Sequence, residues 1–208
     1  RAAGLDGLPK QYRAIAGRAV LAHTLTRFLD HAAIDRVVTV IHADHGDLYA
    51  TATADLAGHP KLAAPVAGGA TRQASVRAGL EALADAAPDL VLVHDAARPF
   101  LSPAVIDRTV AALAEAEAAL VAVPIVDTLK RGDAADHVVG TVPRDGMWAA
   151  QTPQGFRFAP LAAAHARAAA EGRDDFTDDS AVAEWAGMTV RLVEGERGNL
   201  KITTAEDL

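Results

Sequence analysis

The stretch "LVLVHDAARPF", residues 90–100, decides the fold because an apolar run meets charged residues without an intervening turn. Its first four residues predict a short strand that is buried on both faces of a parallel sheet. In an open parallel sheet, ligands bind beyond the carboxyl ends of the strands, which is where this strand would deliver His94, Asp95 and Arg98. A carboxylate there can hold a metal ion or a substrate hydroxyl, and an arginine can bind a phosphate with two N–H groups. The stretch therefore predicts a ligand site at the edge of a sheet.

A purely structural role for the same residues is also open. Asp95 and Arg98 could simply pair with each other, or they could cap the helix that follows. That helix is predicted from residue 103 to about residue 117, because Ser102 and Pro103 form an N-cap and first-turn pair and apolar residues then recur at helical spacing. The residues alone do not decide between the two roles.

Strands alternate with helices along most of the chain. The β-branched runs "VVTVI", residues 37–41, and "ALVAVPIV", residues 119–126, predict two further buried strands. A helix with one apolar face is predicted after the loop "GGATRQ", residues 68–73. This alternation predicts an α/β fold with a Rossmann-like, doubly wound and mostly parallel sheet.

Composition limits the class of protein. The chain has 208 residues, of which 50% are hydrophobic and 23% charged, so residues 1–208 can form a single domain with a full core. The formal net charge is −7 and the basic residues are scattered, which argues against a nucleic acid partner. The sequence contains no cysteine, so a thiolate nucleophile and cysteine zinc sites are excluded. No apolar run approaches the roughly 20 residues that cross a bilayer, and we expect a cytoplasmic protein without a membrane partner.

One segment breaks the alternation of strands and helices. Residues 126–156 show no helical period, but they contain two short extended runs joined through Asp145 and Gly146, which is a strong hairpin signal. A β-arm that projects from an α/β body buries little of itself. The usual remedy is a partner subunit, so the segment predicts a homodimer formed through the arm.

Three polar clusters are less specific. "HADHGD", residues 42–47, crowds two histidines and two aspartates, but its spacing matches no zinc pattern, and a helix N-cap in a solvated loop explains it more simply. "TDDS", residues 177–180, is most simply a helix N-terminus, because acidic side chains suit the positive end of the helix dipole. "PKQY", residues 9–12, offers Lys10 as a phosphate contact, although such a lysine occurs by chance in many chains.

Taken in order, the motifs are much more specific than any one of them. The series runs "AAG" (2–4), "PKQY" (9–12), "HTL" (23–25), "GG" and "RQASVRAGL" (68–80), "VHDAARPF" (93–100), "VDTLKR" (126–131), "VPRDGMW" (142–148), "QTPQGF" (151–156), "TDDS" (177–180) and "NLKIT" (199–203). This series resembles the 2-C-methyl-D-erythritol 4-phosphate cytidylyltransferase family over nearly the whole chain. The resemblance implies a nucleotidyltransferase fold, a homodimer, CTP as a substrate, and Mg²⁺ or another divalent cation. It also implies transfer of CMP to a sugar-alcohol phosphate in non-mevalonate isoprenoid synthesis.

The resemblance assigns a role to each matching residue. The implied catalytic residues are Lys10, which would face the triphosphate, Lys201, which would hold the attacking phosphate, and Arg144, which lies on the arm and would reach the neighbouring subunit's site. The implied substrate-binding residues are Asp95, which would also face the metal ion, with Arg98, Thr128 and Thr152. The implied nucleotide-binding residues are Ala2, Ala3, Gly4, Gly68, Gly69 and Ser75.

The start of the chain departs from the family's pattern. The family's first loop usually carries an arginine between "AAG" and "PK", but only Leu5 to Leu8 stand there, and no opening strand precedes them. Either residues are missing from the start of the chain or the protein lacks one phosphate clamp, and we expect the former because the opening strand is absent too. A cyclodiphosphate synthase domain after Leu208 stays open, as in fused members of the family. Two alternatives also stay open: a ribitol 5-phosphate cytidylyltransferase, and a nucleotide-binding regulatory subunit without activity.

Overall fold

The computed structural model describes residues 7–204 and residue 207, and it shows the expected doubly wound α/β fold. The helices of this part are α1 (Val20–Leu29), α2 (Gly46–Ala52), α3 (Arg72–Leu83), α4 (Pro103–Ala112), α5 (Phe158–Ala170) and α6 (Asp179–Trp185). The strands are β1 (Ala14–Ile15), β2 (Arg18–Ala19), β3 (Val40–Ile41), β4 (Val66–Ala67), β5 (Leu90–Val93), β6 (Ala118–Pro124), β7 (Leu129–Gly132), β8 (Val138–Val142), β9 (Trp148–Arg157) and β10 (Val190–Glu194). No helix within the described ranges is long and apolar enough to span a membrane.

The central sheet has four strands in the order β10, β6, β9, β5. Strand β10 is parallel to β6, whereas β9 is antiparallel to both of its neighbours. Strands β5, β6 and β10 therefore run in one direction, and their carboxyl ends lie at the same edge of the sheet. Since β9 runs the other way, its first residues lie at that edge too. This edge carries the candidate site.

Helices cover both faces of the sheet. On one face, α4 packs against β6 and β10 through a cluster that includes Ile106, Leu113 and Val121, and Phe28 of α1 joins it. On the other face, α3, α5 and α6 bury Leu80, Leu161 and their neighbours against β5, β6 and β9. Burial of apolar surface on both faces of one sheet is the main stabilising contribution to such a fold.

Two short strand pairs lie beside the sheet. Strand β3 pairs with β4 in parallel, and an isolated parallel bridge joins Val37 to Leu62 just before them. Of the strand predicted at residues 37–41, Val40 and Ile41 form a regular strand, and Val37 forms a single bridge. Strands β1 and β2 form a small antiparallel pair around a turn at Ala16 and Gly17, both with positive φ.

Local signals predicted the helix starts better than the helix ends. Ser102 caps α4, its hydroxyl accepts a hydrogen bond from the Val105 N–H at 3.4 Å, and Pro103 is the first helical residue. The helix ends at Ala112 rather than near residue 117, because β6 begins at Ala118 and the chain needs the intervening residues to turn.

The prediction of an arm at residues 126–156 is wrong for its last nine residues, 148–156. Residues 148–157 form β9, which lies between β6 and β5 in the central sheet, because its side chains from Gln151 to Phe156 are buried there. We call residues 125–147 the arm. Its hairpin pairs β7 with β8, and the turn at Asp145 and Gly146 leads from β8 into the sheet instead of closing a hairpin.

Candidate active site

The turn after β5 is held at five consecutive carbonyl groups. We call residues 94–99 the β5 turn. Each of the five consecutive carbonyl oxygens from Asp95 to Pro99 faces a hydrogen-bonding partner within the chain. The Asp95 carbonyl accepts from the Arg98 N–H at 3.0 Å, and the Ala96 carbonyl accepts from the Thr24 hydroxyl at 2.9 Å. The Ala97 carbonyl accepts from the Ile202 N–H at 2.9 Å. The Arg98 carbonyl lies 3.2 Å from a ring nitrogen of His94, and the Pro99 carbonyl accepts from the Arg27 Nε at 3.2 Å. The turn is therefore preorganised before any ligand binds.

Opposite charges from distant parts of the chain meet at this turn. The Asp95 carboxylate lies 2.9 Å from the Lys201 Nζ and 3.5 Å from the Arg98 Nε. Lys10 lies within range of the charges of Lys201, Asp95 and Arg98. We call these four residues the charge cluster. It places two cations against one carboxylate and a third cation within range of their charges, as a site for a multiply charged anion requires.

The pKa values report this crowding. Burial acts to raise the pKa of Asp95, but the hydrogen bond and charge of Lys201, with the charges of Arg98 and Arg72, outweigh it and lower that pKa. Burial and then the nearby Lys201 charge lower the pKa of Lys10. Asp95 is thus a carboxylate at neutral pH, and the two lysines repel each other until an anion lies between them.

Asn199 joins Lys201 to the rest of the site. It is fully buried, and its side-chain amide donates to the Thr152 carbonyl at 2.8 Å. The backbone carbonyl of Asn199 accepts a hydrogen bond from the Arg98 guanidinium at 2.7 Å. The "NLKIT" segment is therefore fixed against both the β5 turn and the start of β9. These contacts fix the backbone from which the Lys201 side chain extends.

The strand register brings Thr152 beside Asp95. In the β5–β9 pair, Val93 lies opposite Gln154, and continuing that register by two residues places Thr152 opposite Asp95. The Asp95 N–H donates to the Thr152 hydroxyl oxygen at 3.0 Å, which confirms this position. Thr152 and the charge cluster thus form one site.

The structural alternative for Asp95 and Arg98 is partly correct. The two side chains do pair, but each has a shorter contact elsewhere, to Lys201 and to the Asn199 carbonyl. Neither caps α4, because Ser102 does so.

Gly68 and Gly69 lie in the loop between β4 and α3, and their small size is required by packing. A Cβ atom on Gly68 would lie 2.6 Å from the Ser75 Oγ, and one on Gly69 would lie 2.5 Å from the Ala74 Cβ. The Ser75 hydroxyl donates to the Thr71 carbonyl at 2.9 Å. Within this chain, the two glycines let the loop approach the first turn of α3.

Arg72 is a functional candidate that the sequence did not reveal. It is the first residue of α3, and its guanidinium donates to the carboxylate of Asp179 at 2.7 Å. Asp179 is fully buried and also lies 3.1 Å from the His165 ring. The Arg72 charge also lowers the pKa of Asp95, which places Arg72 on the site's side of α3. The motif "TDDS" contains its partner Asp179, but Asp179 lies 107 residues from Arg72, so no local pattern connects the two.

Several predicted positions lie apart from the charge cluster. Thr128 and Arg144 are exposed on the arm, and neither pairs with Asp95, Arg98 or Lys201 in the part of the chain that the structure describes. Ala2, Ala3 and Gly4 lie outside the described residues. "HADHGD" acts as predicted, since the His42 ring accepts a hydrogen bond from the Asp44 N–H at 3.2 Å at the start of a short 3-10 turn.

Asp95 is the carboxylate that the charge cluster offers to a metal ion. Among residues 7–204 and 207, no group of three or more histidine, aspartate or glutamate side chains could hold a metal. Asp95 in the charge cluster nevertheless fits Mg²⁺, which is often held by one or two carboxylates while the substrate phosphates supply other oxygens.

The model of the family described as 2-C-methyl-D-erythritol 4-phosphate cytidylyltransferase, IspD, matches residues 3–208. The chain belongs to this family. A bifunctional enzyme IspD/IspF of Mesorhizobium japonicum is 52% identical over 206 residues, which are 99% of this chain and 50% of that protein. One from Allorhizobium ampelinum is 52% identical over 204 residues, covering 96% of this chain and 49% of that protein. The chain thus spans about half the length of these curated relatives.

Solved structures agree with this family. The 2-C-methyl-D-erythritol 4-phosphate cytidylyltransferase of Thermus thermophilus has a TM-score of 0.81 at 37% identity and covers 96% of this chain and 90% of its own. The 4-diphosphocytidyl-2C-methyl-D-erythritol synthase of Anaerococcus prevotii has a TM-score of 0.82 at 35% identity, with 99% and 89% coverage. The predicted fold class and family are confirmed.

Proposed function

We propose that the chain transfers CMP from CTP to 2-C-methyl-D-erythritol 4-phosphate, releasing pyrophosphate and forming 4-diphosphocytidyl-2-C-methyl-D-erythritol. The observation that carries this proposal is the charge cluster, in which Lys10, Arg98 and Lys201 come from separate segments and surround Asp95 at the carboxyl edge of the sheet. A reaction between two phosphorylated molecules needs such a concentration of cations. Membership of the family supports the choice of both substrates.

The chemistry needs no protein nucleophile. An oxygen of the sugar phosphate attacks the α-phosphorus of CTP in line, the bond to the β-phosphate breaks, and pyrophosphate leaves with the electron pair. The protein must hold two anions that repel each other in that alignment. The fixed β5 turn and the anchored "NLKIT" segment support such a role, because their cations need little reorganisation.

Each member of the charge cluster has a separate task in this proposal. Lys10 faces the triphosphate and neutralises charge as pyrophosphate leaves. Lys201 and Arg98 hold the attacking phosphate, with Thr152 beside the same substrate. Asp95 offsets the repulsion between these cations in the free protein and would hold Mg²⁺, which supplies charge neutralisation on the triphosphate when bound.

The nucleotide is assigned to the loop before α3. Gly68, Gly69 and Ser75 form a compact loop whose backbone would read the cytosine edge, and Ala2 to Gly4 would approach it from the start of the chain. The close packing of Gly68 and Gly69 on α3 supports a loop of fixed shape. A site must have such a fixed shape to distinguish one base from another.

We also propose that the active form is a homodimer built through the arm. Every residue from 131 to 141 is exposed. The large apolar side chains of Val126, Val138, Val139, Met147 and Trp148 are between 40% and 66% accessible. Apolar side chains crowded on a protruding segment favour an interface with a second copy. In that dimer, Thr128 and Arg144 would serve the partner's charge cluster.

A pyrophosphate-release assay tests the activity. With Mg²⁺ and CTP, the protein is expected to release pyrophosphate when 2-C-methyl-D-erythritol 4-phosphate is added, and much less with ribitol 5-phosphate. A preference for ribitol 5-phosphate would replace the substrate. CTP binding without turnover of either compound would favour a regulatory subunit. A cytoplasmic location stays a prediction.

A further inference from the structure

His94 follows β5 directly and has no task in the proposed reaction. Its ring lies 4.9 Å from the Phe28 ring in an edge contact. Both ring nitrogens have polar neighbours: Nδ1 lies 3.0 Å from the Thr152 hydroxyl oxygen, and Nε2 lies 3.2 Å from the Arg98 carbonyl oxygen. The ring therefore bridges β9 to the far end of the β5 turn.

The direction of each hydrogen bond follows from the chemistry of the partners. A carbonyl oxygen can only accept, so the nitrogen beside Arg98 must carry a hydrogen, which places a hydrogen on Nε2. In a neutral ring, Nδ1 is then an acceptor, and the Thr152 hydroxyl must donate to it. The same hydroxyl oxygen accepts from the Asp95 N–H at 3.0 Å. One hydroxyl group thus links the ring to the turn.

The opposite arrangement leaves a clash of acceptors. A neutral ring with its hydrogen on Nδ1 would turn the lone pair of Nε2 towards the Arg98 carbonyl oxygen at 3.2 Å. The Thr152 carbonyl, which lies near the ring and accepts from Asn199 at 2.8 Å, could also accept from Nδ1, but Nε2 would still face an acceptor. The arrangement with the hydrogen on Nε2 satisfies every group.

We propose that His94 is a positioning residue: its ring, with the hydrogen on Nε2, joins the Arg98 carbonyl to the Thr152 hydroxyl and so sets how Asp95 and Arg98 face the substrates. This role rests on the proposed function of the site. It has a chemical consequence for Thr152. The hydroxyl's only hydrogen is given to His94, so Thr152 cannot also donate it to the sugar phosphate. Thr152 therefore affects substrate binding by fixing the backbone of Asp95, whose N–H donates to its hydroxyl oxygen.

The first test reads the ring directly. Protein labelled with ¹⁵N in its histidine rings is studied by NMR at pH 7.5 without substrates, and the His94 signals are assigned by their loss in His94→Gln. We expect a hydrogen fixed on Nε2 and a bare Nδ1. A hydrogen on Nδ1, or rapid averaging between the two nitrogens, would overturn the proposal.

The second test is a kinetic double-mutant cycle. Thr152→Val removes the hydroxyl and is expected to lower kcat about tenfold. In His94→Gln, whose amide is expected to donate to the Arg98 carbonyl, the Thr152 hydroxyl has lost its acceptor. Adding Thr152→Val there is expected to cost less than about threefold, since the two groups act as one unit. A full tenfold loss in both backgrounds would show that the hydroxyl serves the substrate directly and would reject the proposal.

Two controls keep the result interpretable. His59→Gln changes a histidine outside the site, whose ring accepts from the Lys61 N–H at 3.2 Å, and it is expected to keep normal turnover. All kinetics are measured well below the melting temperature of each variant. Because NMR needs no turnover, a protein that releases no pyrophosphate would reject the proposed function while the ring's tautomer still decides this inference.

Discussion

The β5 turn and the arm differ in how many of their polar and apolar groups have partners within one chain. Every carbonyl from Asp95 to Pro99 has a partner within the chain, and the Asp95 carboxylate pairs with Lys201 and Arg98 of the same chain. The arm pairs β7 with β8 but leaves Val138 and Val139 more than half accessible. The groups of the turn are therefore satisfied within one chain, whereas the arm leaves apolar surface that the proposed dimer would bury.

The largest effect is expected from removing a cation of the turn region. Lys201→Met keeps the length of the side chain but removes its charge, and kcat/KM is expected to fall about 10² to 10³-fold, as for loss of one preorganised donor. Steady-state kinetics with both substrates measures this. Lys61→Met is the control, because Lys61 donates to the His31 carbonyl at 2.8 Å and should affect melting rather than turnover. Equal losses in both variants would contradict a site at Lys201.

Lowering the pH is expected to weaken the β5 turn. Desolvation lowers the pKa of the His94 ring to about 4, below its ordinary value of 6.5. The ring's contribution is complete above pH 6.5 and is lost as pH falls towards 4, because only the unfolded chain binds the proton in that window. Urea unfolding at pH 7 and pH 5 should differ by about 1–2 kcal/mol more in the wild type than in His94→Gln. An identical pH dependence in the two would contradict this.

A smaller effect is expected from Asp95→Asn. The substitution keeps the size of the side chain, and kcat is expected to fall at least about tenfold, near 1.4 kcal/mol. The KM for the sugar phosphate should not rise, because the carboxylate no longer competes with that phosphate for Lys201 and Arg98. Near-normal turnover with a depressed melting temperature would instead make Asp95 a purely structural partner.

The same contrast shows what the sequence could predict. Ser102 and Pro103 are local signals, and they located the start of α4. The carboxyl edge of β5 was also correct, because a buried apolar run that ends in charges is itself local. The position of Thr152 opposite Asp95 depends on the register of two strands far apart in sequence, which no local pattern contains.

Strand β9 was missed for a related reason. It contains Gln151 and Gln154, polar residues that are buried only because other segments satisfy them. Gln154 accepts hydrogen bonds from the Asp179 and Ser180 N–H groups at the start of α6, each at 3.0 Å. Arg72 was missed in the same way, since its partner Asp179 lies on another helix. Buried polar contacts of long sequence separation are the part of the site that the sequence alone did not supply.

The most direct test of the contrast between turn and arm is a mixture of two inactive variants. Lys10→Ala damages the charge cluster, and Arg144→Ala damages the arm. Each is first shown to be nearly inactive alone, and subunits are then exchanged, with mixed dimers verified by mass spectrometry. If the arm serves the partner, one site of each mixed dimer carries both lesions and the other carries neither. About half of the dimers are mixed, so activity is expected to recover to roughly a quarter of the wild type. No recovery in verified mixed dimers would contradict a site shared between subunits.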